Sequence, residues 1–259
     1  MTYETLLVDI RSDYVATITL NRPNQLNTFT TPLAEELTRA LKTLDAAPSV
    51  RVVVIKGAGK HFCAGIDVSE LSGKSPMELR AWIQLMETPL VTISEMDKPV
   101  IAQVHGVAAA NGAGLVAACD LAIAAETARF GLTAINVGLN CVGPVIPVSK
   151  SVGRKTALEM LLYGKLLDAR EALARGLVNR VVPPEELDKA AHDWAAVLAQ
   201  KSPFAVQIAK RSFYTAADME YHKAFAYMNE VFARLCTTED AKEGVKAFLE
   251  KRAPVWKER

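Results

Sequence analysis

Two short runs of small residues carry the plainest chemistry in this chain. They are Cys63-Ala64-Gly65-Ile66-Asp67 and Ala109-Ala110-Asn111-Gly112. Each lies after a run of apolar residues that reads as a buried strand. Where side chains are this small, a substrate carbonyl can approach the backbone. If the two turns are neighbours in space, one N–H from each can aim at a single oxygen and stabilise the charge that develops on it. The run Gly112-Ala113-Gly114-Leu115-Val116-Ala117 also fits the dinucleotide pattern G-x-G-x-x-A. That pattern needs its glycines directly after the first strand and an acidic residue closing a βαβ unit. Neither condition is met. A purely structural turn of small residues is the remaining rival.

The elements that must position these turns read as an α/β alternation. Residues 15–20 (VATITL) are β-branched and suggest a strand. Thr31 is an expected helix cap with Pro32 in the first turn, and Leu33, Leu37, Leu41 and Leu44 form an apolar stripe at helical spacing. Residues 50–55, 99–104 and 120–125 read as further strands, and 76–96, 115–119, 154–163 and 169–175 as helices. Residues 106–114 read as a turn of small residues. Gly176 is an expected helix stop, and 177–182 a late strand. Beyond Pro183-Pro184 the pattern is helical almost throughout. The expected division is therefore a core at 1–184 and a helical region at 185–259.

Composition narrows the function. The chain has 259 residues, half of them hydrophobic, enough for one large domain. With 30 basic and 29 acidic residues there is no charge excess that calls for nucleic acid or an anionic membrane as partner. The four cysteines and four histidines show no metal-ligand spacing, so no metal site is expected. Isolated cysteines in apolar settings suit a reducing compartment. The N-terminus lacks the pattern of a signal peptide, and the apolar stretch at 99–125 is interrupted by His105, Asn111 and Asp120. These features lead to the expectation of a soluble cytoplasmic protein.

At this point a resemblance takes over. Asn21-Arg22-Pro23 with Leu26-Asn27, then Phe62 to Asp67, then Lys98-Pro99-Val100-Ile101-Ala102 with Gly106, occur in an order found in one family. Cys119 to Ala124, Phe130-Gly131, Gly176-Leu177-Val178-Asn179 and the tail Phe248-Leu249-Glu250-Lys251-Arg252 continue it. Along nearly its whole length the chain resembles the crotonase (enoyl-CoA hydratase/isomerase) superfamily. The resemblance implies a spiral of ββα units with a C-terminal helical trimerisation region, assembled as a homotrimer or a dimer of trimers. It implies an acyl-CoA thioester as substrate, with no cofactor beyond the coenzyme A that the substrate carries. By position, the oxyanion donors are the N–H groups of Ile66 and Asn111. Asn111 departs from the usual glycine, and tolerance of unusual φ is the reason it suggests for asparagine. Coenzyme A contacts transfer to Asn24, Gln25 and Leu26, to Ala64, Asp67 and Val68 beside Ile66, and to Phe248 and Lys251, often supplied by a neighbouring subunit. Asp67 also reads as a turn-forming residue and Lys251 as part of a solvated helix face.

The resemblance fails where hydratases carry two glutamates: Gly114 and Ala134 stand at those positions, and Val142, a third acid position in isomerases, is apolar. In a dehalogenase branch of the family, a catalytic histidine occupies the helix position of Glu87. Apolar neighbours Trp82, Met86 and Leu90 would raise the pKa of an acid there. Glu87 is therefore the candidate acid/base. A solvated surface glutamate is the alternative. Thr133, Asn136, Asn140 and Cys141 are expected to line the acyl pocket. Cys141 reads as a nucleophile or, more simply, as a buried thiol. The expected activity is hydration or double-bond isomerisation of an acyl-CoA, including dienoyl or cyclic acyl groups. The alternatives are decarboxylation, thioester hydrolysis, or binding of acyl-CoA without catalysis.

Overall fold

The computed structural model describes residues 2–257. In chain order the first half contains β1 (Leu6–Ile10), β2 (Val15–Leu20), α1 (Thr31–Ala46), β3 (Val52–Gly57), α2 (Pro76–Glu95), β4 (Val100–Val104), β5 (Val107–Ala109), α3 (Asn111–Ala118) and β6 (Leu121–Ala125). There follow β7 (Arg129–Gly131), α4 (Val145–Val152), α5 (Arg154–Tyr163), β8 (Leu167–Asp168), α6 (Ala169–Ala174), β9 (Arg180–Val182), α7 (Leu187–Ala199), α8 (Pro203–Ala216), α9 (Tyr221–Leu235) and α10 (Glu239–Leu249).

A sheet in the order β1-β2-β3-β4-β6-β9 forms the main layer, and β5-β7-β8 a small second one. Only the first pair of the large sheet is antiparallel; the rest is parallel. Parallel sheets need cover on both faces, and β3 and β4 accordingly read as nearly unbroken apolar runs. On one face Leu33, Leu37 and Leu41 of α1 join Ile93 of α2 and Ile55 in the larger core. On the other, Leu187, Ala191, Ala195 and Ala199 of α7 pack on Val52, Val54, Ile101 and Ile123. So although strands stop at β9, α7 still belongs to the packing of the sheet.

Three local expectations differ from the structure. The cap of α1 is Thr30, whose Oγ1 accepts from the Leu33 N–H. Thr31 instead bonds Glu70 through its N–H and hydroxyl. Residues 106–114 are no simple turn, because Val107–Ala109 pairs with Arg129–Gly131 and α3 already begins at Asn111. The late strand is confined to Arg180–Val182, since Asn179 Oδ1 accepts from the Ala122 N–H and fixes its entry.

Candidate active site

The two small-residue turns meet. Cys63 forms a parallel bridge with Ala108, through Cys63 N–H to Val107 O (3.1 Å) and Ala109 N–H to Cys63 O (2.9 Å). The fit leaves no room for side chains: a Cβ on Gly112 would lie 2.1 Å from Cys63 O. A Cβ on Gly65 would lie 2.9 Å from the Ala110 methyl and 3.9 Å from the Asn111 amide nitrogen. Gly65 also has φ +113, open only to glycine at low cost.

The N–H groups of Ile66 and Asn111 at this junction lack partners among the described residues. Phe29 donates to Gly65 O (2.8 Å) and accepts from the Asp67 N–H (2.7 Å), so the intervening Ile66 directs its own N–H to the opposite side. Asn111 is the first residue of α3, where an N–H has no acceptor within the helix and the dipole adds partial positive charge. Among the described residues neither N–H is hydrogen-bonded.

The unusual backbone lies one residue earlier than expected. Ala110 has φ 49 and ψ −116, whereas Asn111 is helical. Ala110 is held there by its N–H to Gly131 O (2.8 Å) and by Gly65 at its methyl. Asn111 is therefore not explained by backbone tolerance. Its side chain is buried and donates from Nδ2 to Met86 O at 3.3 Å.

Beside these turns a cavity of about 610 Å³ opens, lined by Ala64, Ile66, Asn111, Ala134 and the face of α2 that carries Leu79, Ile83 and Glu87. Trp82 anchors that face, donating from Nε1 to Glu70 Oε2 (2.7 Å). The Glu87 carboxyl is half-buried and has no hydrogen-bond or ion partner among the described residues. Burial raises its pKa above the ordinary carboxylate value. Gly143 packs directly on it: a Cβ there would lie 1.6 Å from Glu87 Oε1.

At Gly114 and Ala134, the positions that the resemblance assigns to glutamates, the space is closed or apolar. A Cβ on Gly114 would lie 2.8 Å from Pro144 Cβ and 3.1 Å from a Leu90 methyl. Ala134 lines the cavity, with a methyl as its whole side chain. Thr133, Asn140 and Cys141 line the cavity too. Asn136 is absent from the lining, because its Nδ2 donates to Gly164 O at 3.1 Å and braces the neighbouring loop. Burial pushes the Cys141 thiol up, against a weaker lowering by the Ala134 backbone, which disfavours a thiolate nucleophile.

Asn24, Gln25 and Leu26 form an exposed turn beside Ala64, whose N–H donates to Leu26 O (3.0 Å). Leu26 and Asn27 both have φ 54. The buried Asn27 side chain enforces this by accepting from Arg22 N–H and donating to Ala58 O and His61 O. Val68 stands on the cavity rim. The Asp67 carboxylate caps the short turn Val68–Leu71 through Ser69 and lies 3.5 Å from Arg22. The Ser69 hydrogen bond, and then Arg22, hold it below its ordinary pKa. Phe248 and Lys251 lie exposed at the end of α10, away from this cavity within one chain.

Sequence reasoning missed Gly143, Pro144 and Arg80. A Gly-Pro pair is a general turn signal, but nothing in Gly143-Pro144 points to Glu87. Arg80 lies on the cavity-facing side of α2 without an ion partner among the described residues, and it gave no local signal. Among these residues no group of three or more His, Cys, Asp or Glu could hold a metal ion. None of the described helices is long and apolar enough to cross a membrane.

Comparison with known proteins identifies the family. The sequence pattern of the enoyl-CoA hydratase/isomerase family matches residues 11–259. An (E)-benzylidenesuccinyl-CoA hydratase of Thauera aromatica is 36% identical over 249 residues, covering 95% of this chain and 96% of that protein. A mitochondrial enoyl-CoA hydratase domain-containing protein 3 of Xenopus laevis is 35% identical, covering 92% and 82%. The crystal structure of an enoyl-CoA hydratase from Mycobacterium smegmatis superposes with a TM-score of 0.94 at 40% identity, covering 97% of this chain and 98% of that one. The spiral of ββα units, the paired turns and these relatives lead to one conclusion: this chain is an enzyme belonging to the enoyl-CoA hydratase/isomerase family.

Proposed function

We propose that the chain hydrates an enoyl-CoA thioester, or shifts its double bond, using Ile66 and Asn111 as the oxyanion hole and Glu87 as its one acid/base. The observation that carries this reading is the unpartnered Glu87 carboxyl, in the same cavity as two unbonded N–H groups, at a site whose usual acid positions are Gly114 and Ala134.

The two N–H groups polarise the thioester carbonyl and make the β-carbon electrophilic. Such a pair is worth about 10²–10³ in rate per donor. Ionised Glu87 takes a proton from water as the water oxygen bonds to the β-carbon. It then returns a proton to the α-carbon as the enolate collapses, so the carboxylate is regenerated. In isomerisation the same group moves a proton between the α- and γ-carbons. A carboxyl with a raised pKa suits both directions near neutrality. These steps need no cofactor beyond the coenzyme A of the substrate.

The thioester's nucleotide arm runs along Asn24, Gln25 and Leu26, with Ala64, Asp67 and Val68 at the cavity rim. Phe248 and Lys251 complete the site from a neighbouring subunit of a homotrimer or a dimer of trimers. Support for assembly comes from α9, in which no residue is buried, while Tyr221, Phe225 and Phe232 are 69%, 57% and 67% exposed. Within the helical region that begins at 185, α9 supplies that assembly surface, while α7 packs on the sheet of the spiral core. The four cysteines, all free, fit a reducing cytoplasm. The name of the Thauera relative supports an acyl group larger than a short straight chain.

The test is a panel of enoyl-, saturated and malonyl-type CoA esters followed by mass analysis, with chromatographic separation of double-bond isomers of equal mass. Gain of water or an isomerised ester is the expected result; loss of carbon dioxide or free CoA points to the other reaction classes. Glu87→Gln should lower kcat by about 10²-fold or more while leaving KM near that of the parent. An unchanged rate removes Glu87 from the mechanism.

A further inference from the structure

The Asn111 side chain has no part in the oxyanion hole as drawn above, nor does its backbone require asparagine. Its carboxamide is buried nonetheless, and among the described residues it makes one bond: Nδ2 to the carbonyl of Met86, the residue preceding Glu87. The orientation is chemically fixed, since a carbonyl oxygen only accepts.

That carbonyl lies at the weak turn of α2. Pro89 sits inside the helix. It has no N–H to offer the Leu85 carbonyl, and its ring crowds the same group. A helix so interrupted tends to bend there, and Glu87 sits within the interrupted turn. The structure supplies two supports from outside the helix at this turn. Gly143 packs on the Glu87 carboxyl, and Asn111 grips the backbone one residue away. The same residue thus supplies an oxyanion donor from its main chain and a brace from its side chain.

We propose that the Asn111 carboxamide is a positioning residue that fixes the distance between the oxyanion hole and the Glu87 carboxyl. The proposal rests on the reading of Glu87 as acid/base. With a single carboxyl, the proton has to be delivered to carbons whose place is set by the hole. Freedom between hole and base then reaches directly into turnover. A carbonyl oxygen bound at Asn111 N–H and a proton handled at Glu87 are held to one geometry by one side chain.

The experiment compares Asn111→Gly, Asn111→Asp and Glu87→Gln on the enoyl-CoA ester turned over by the parent enzyme. Asn111→Gly keeps the main-chain donor and removes the brace. It should lower kcat by about tenfold or more, since a misplacement near 1 Å can cost 10²-fold. KM should stay within about twofold of the parent, and the acid limb of the kcat profile should shift as the Glu87 environment loosens. Asn111→Asp places a carboxylate oxygen against the Met86 carbonyl and should fall at least as far. A kcat and acid limb like the parent's in either folded variant, with Glu87→Gln inactive, overturns the positioning role alone. An active Glu87→Gln overturns the acid/base reading and this proposal with it.

Discussion

Gly143→Ala separates a catalytic Glu87 from a merely solvated one. The added methyl would lie 1.6 Å from Glu87 Oε1, 2.3 Å from Cδ and 3.1 Å from Cγ. Ordinary contact begins near 3.4 Å, so the carboxyl must move by about 1.8 Å. Gly143 has no positive φ, and the atom it meets ends a flexible side chain. Stability should therefore change by no more than about 1 kcal/mol. Activity should respond far more, because a 1 Å displacement of a catalytic group can cost about 10²-fold. Steady-state kcat and KM on an enoyl-CoA ester, with thermal unfolding by calorimetry, measure both quantities. The expected result is a kcat lower by about 10²-fold at a nearly constant melting temperature. Adding Glu87→Gln to this variant should cause little further loss, since both changes remove the same group. A Gly143→Ala enzyme with the parent's kcat would refute the reasoning.

Other expectations follow from the same geometry. The Glu87 pKa is raised, so kcat should fall as pH drops through that value and the carboxylate is protonated; Glu87→Gln should lack this limb in a pH–rate profile. The same shift acts on stability: the folded chain holds this proton more tightly than the unfolded one, a contribution present at low pH and lost as pH rises through the folded pKa. Glu87→Gln should thus melt higher than the parent at pH 8, with the gap closing at acid pH, and an opposite trend would contradict a burial-raised carboxyl. Gly114→Glu, which restores the usual acid, should destabilise by about 1–3 kcal/mol by overpacking Pro144 and Leu90 and should not replace Glu87 in a Glu87→Gln background. Gly65→Ala meets both φ +113 and the Ala110 methyl at 2.9 Å; denaturant unfolding should show a loss of about 2 kcal/mol or more, together with a fall in kcat.

The fold was legible because its parallel core strands are buried on both faces. The runs at β3 and β4 are apolar almost without break, and α1 carries its leucines on one side. Short elements were not legible. β5 and β7 have three residues each, too few for any periodicity, and they exist because each is the other's partner. The cap of α1 shifted from Thr31 to Thr30 for a tertiary reason: Glu70, brought in from a later turn, takes the Thr31 N–H and hydroxyl. No local rule contains that contact.

In the site, legibility divides along the same line between backbone and side chains. Gly65 and Gly112 mark close backbone approach within the small-residue runs, and the structure explains both through what a Cβ would strike. What a side chain does depends on its neighbours across the fold. Asn136 and Asn140 look alike in sequence, yet one braces Gly164 while the other faces the cavity. Asn111 was assigned to a strained backbone, but the strain belongs to Ala110, and the asparagine answers to a carbonyl on another helix. The departure from the two-glutamate pattern follows the same logic. Pro144 closes the space at Gly114, and the Gly143 beside it opens space for Glu87. One loop thus removes room for an acid on α3 and provides it on α2. A side chain at position 114 would strike Pro144 while the loop keeps this course, and the bare Cα of Gly143 leaves the half-buried Glu87 carboxyl its place, so one short segment governs the room at both positions.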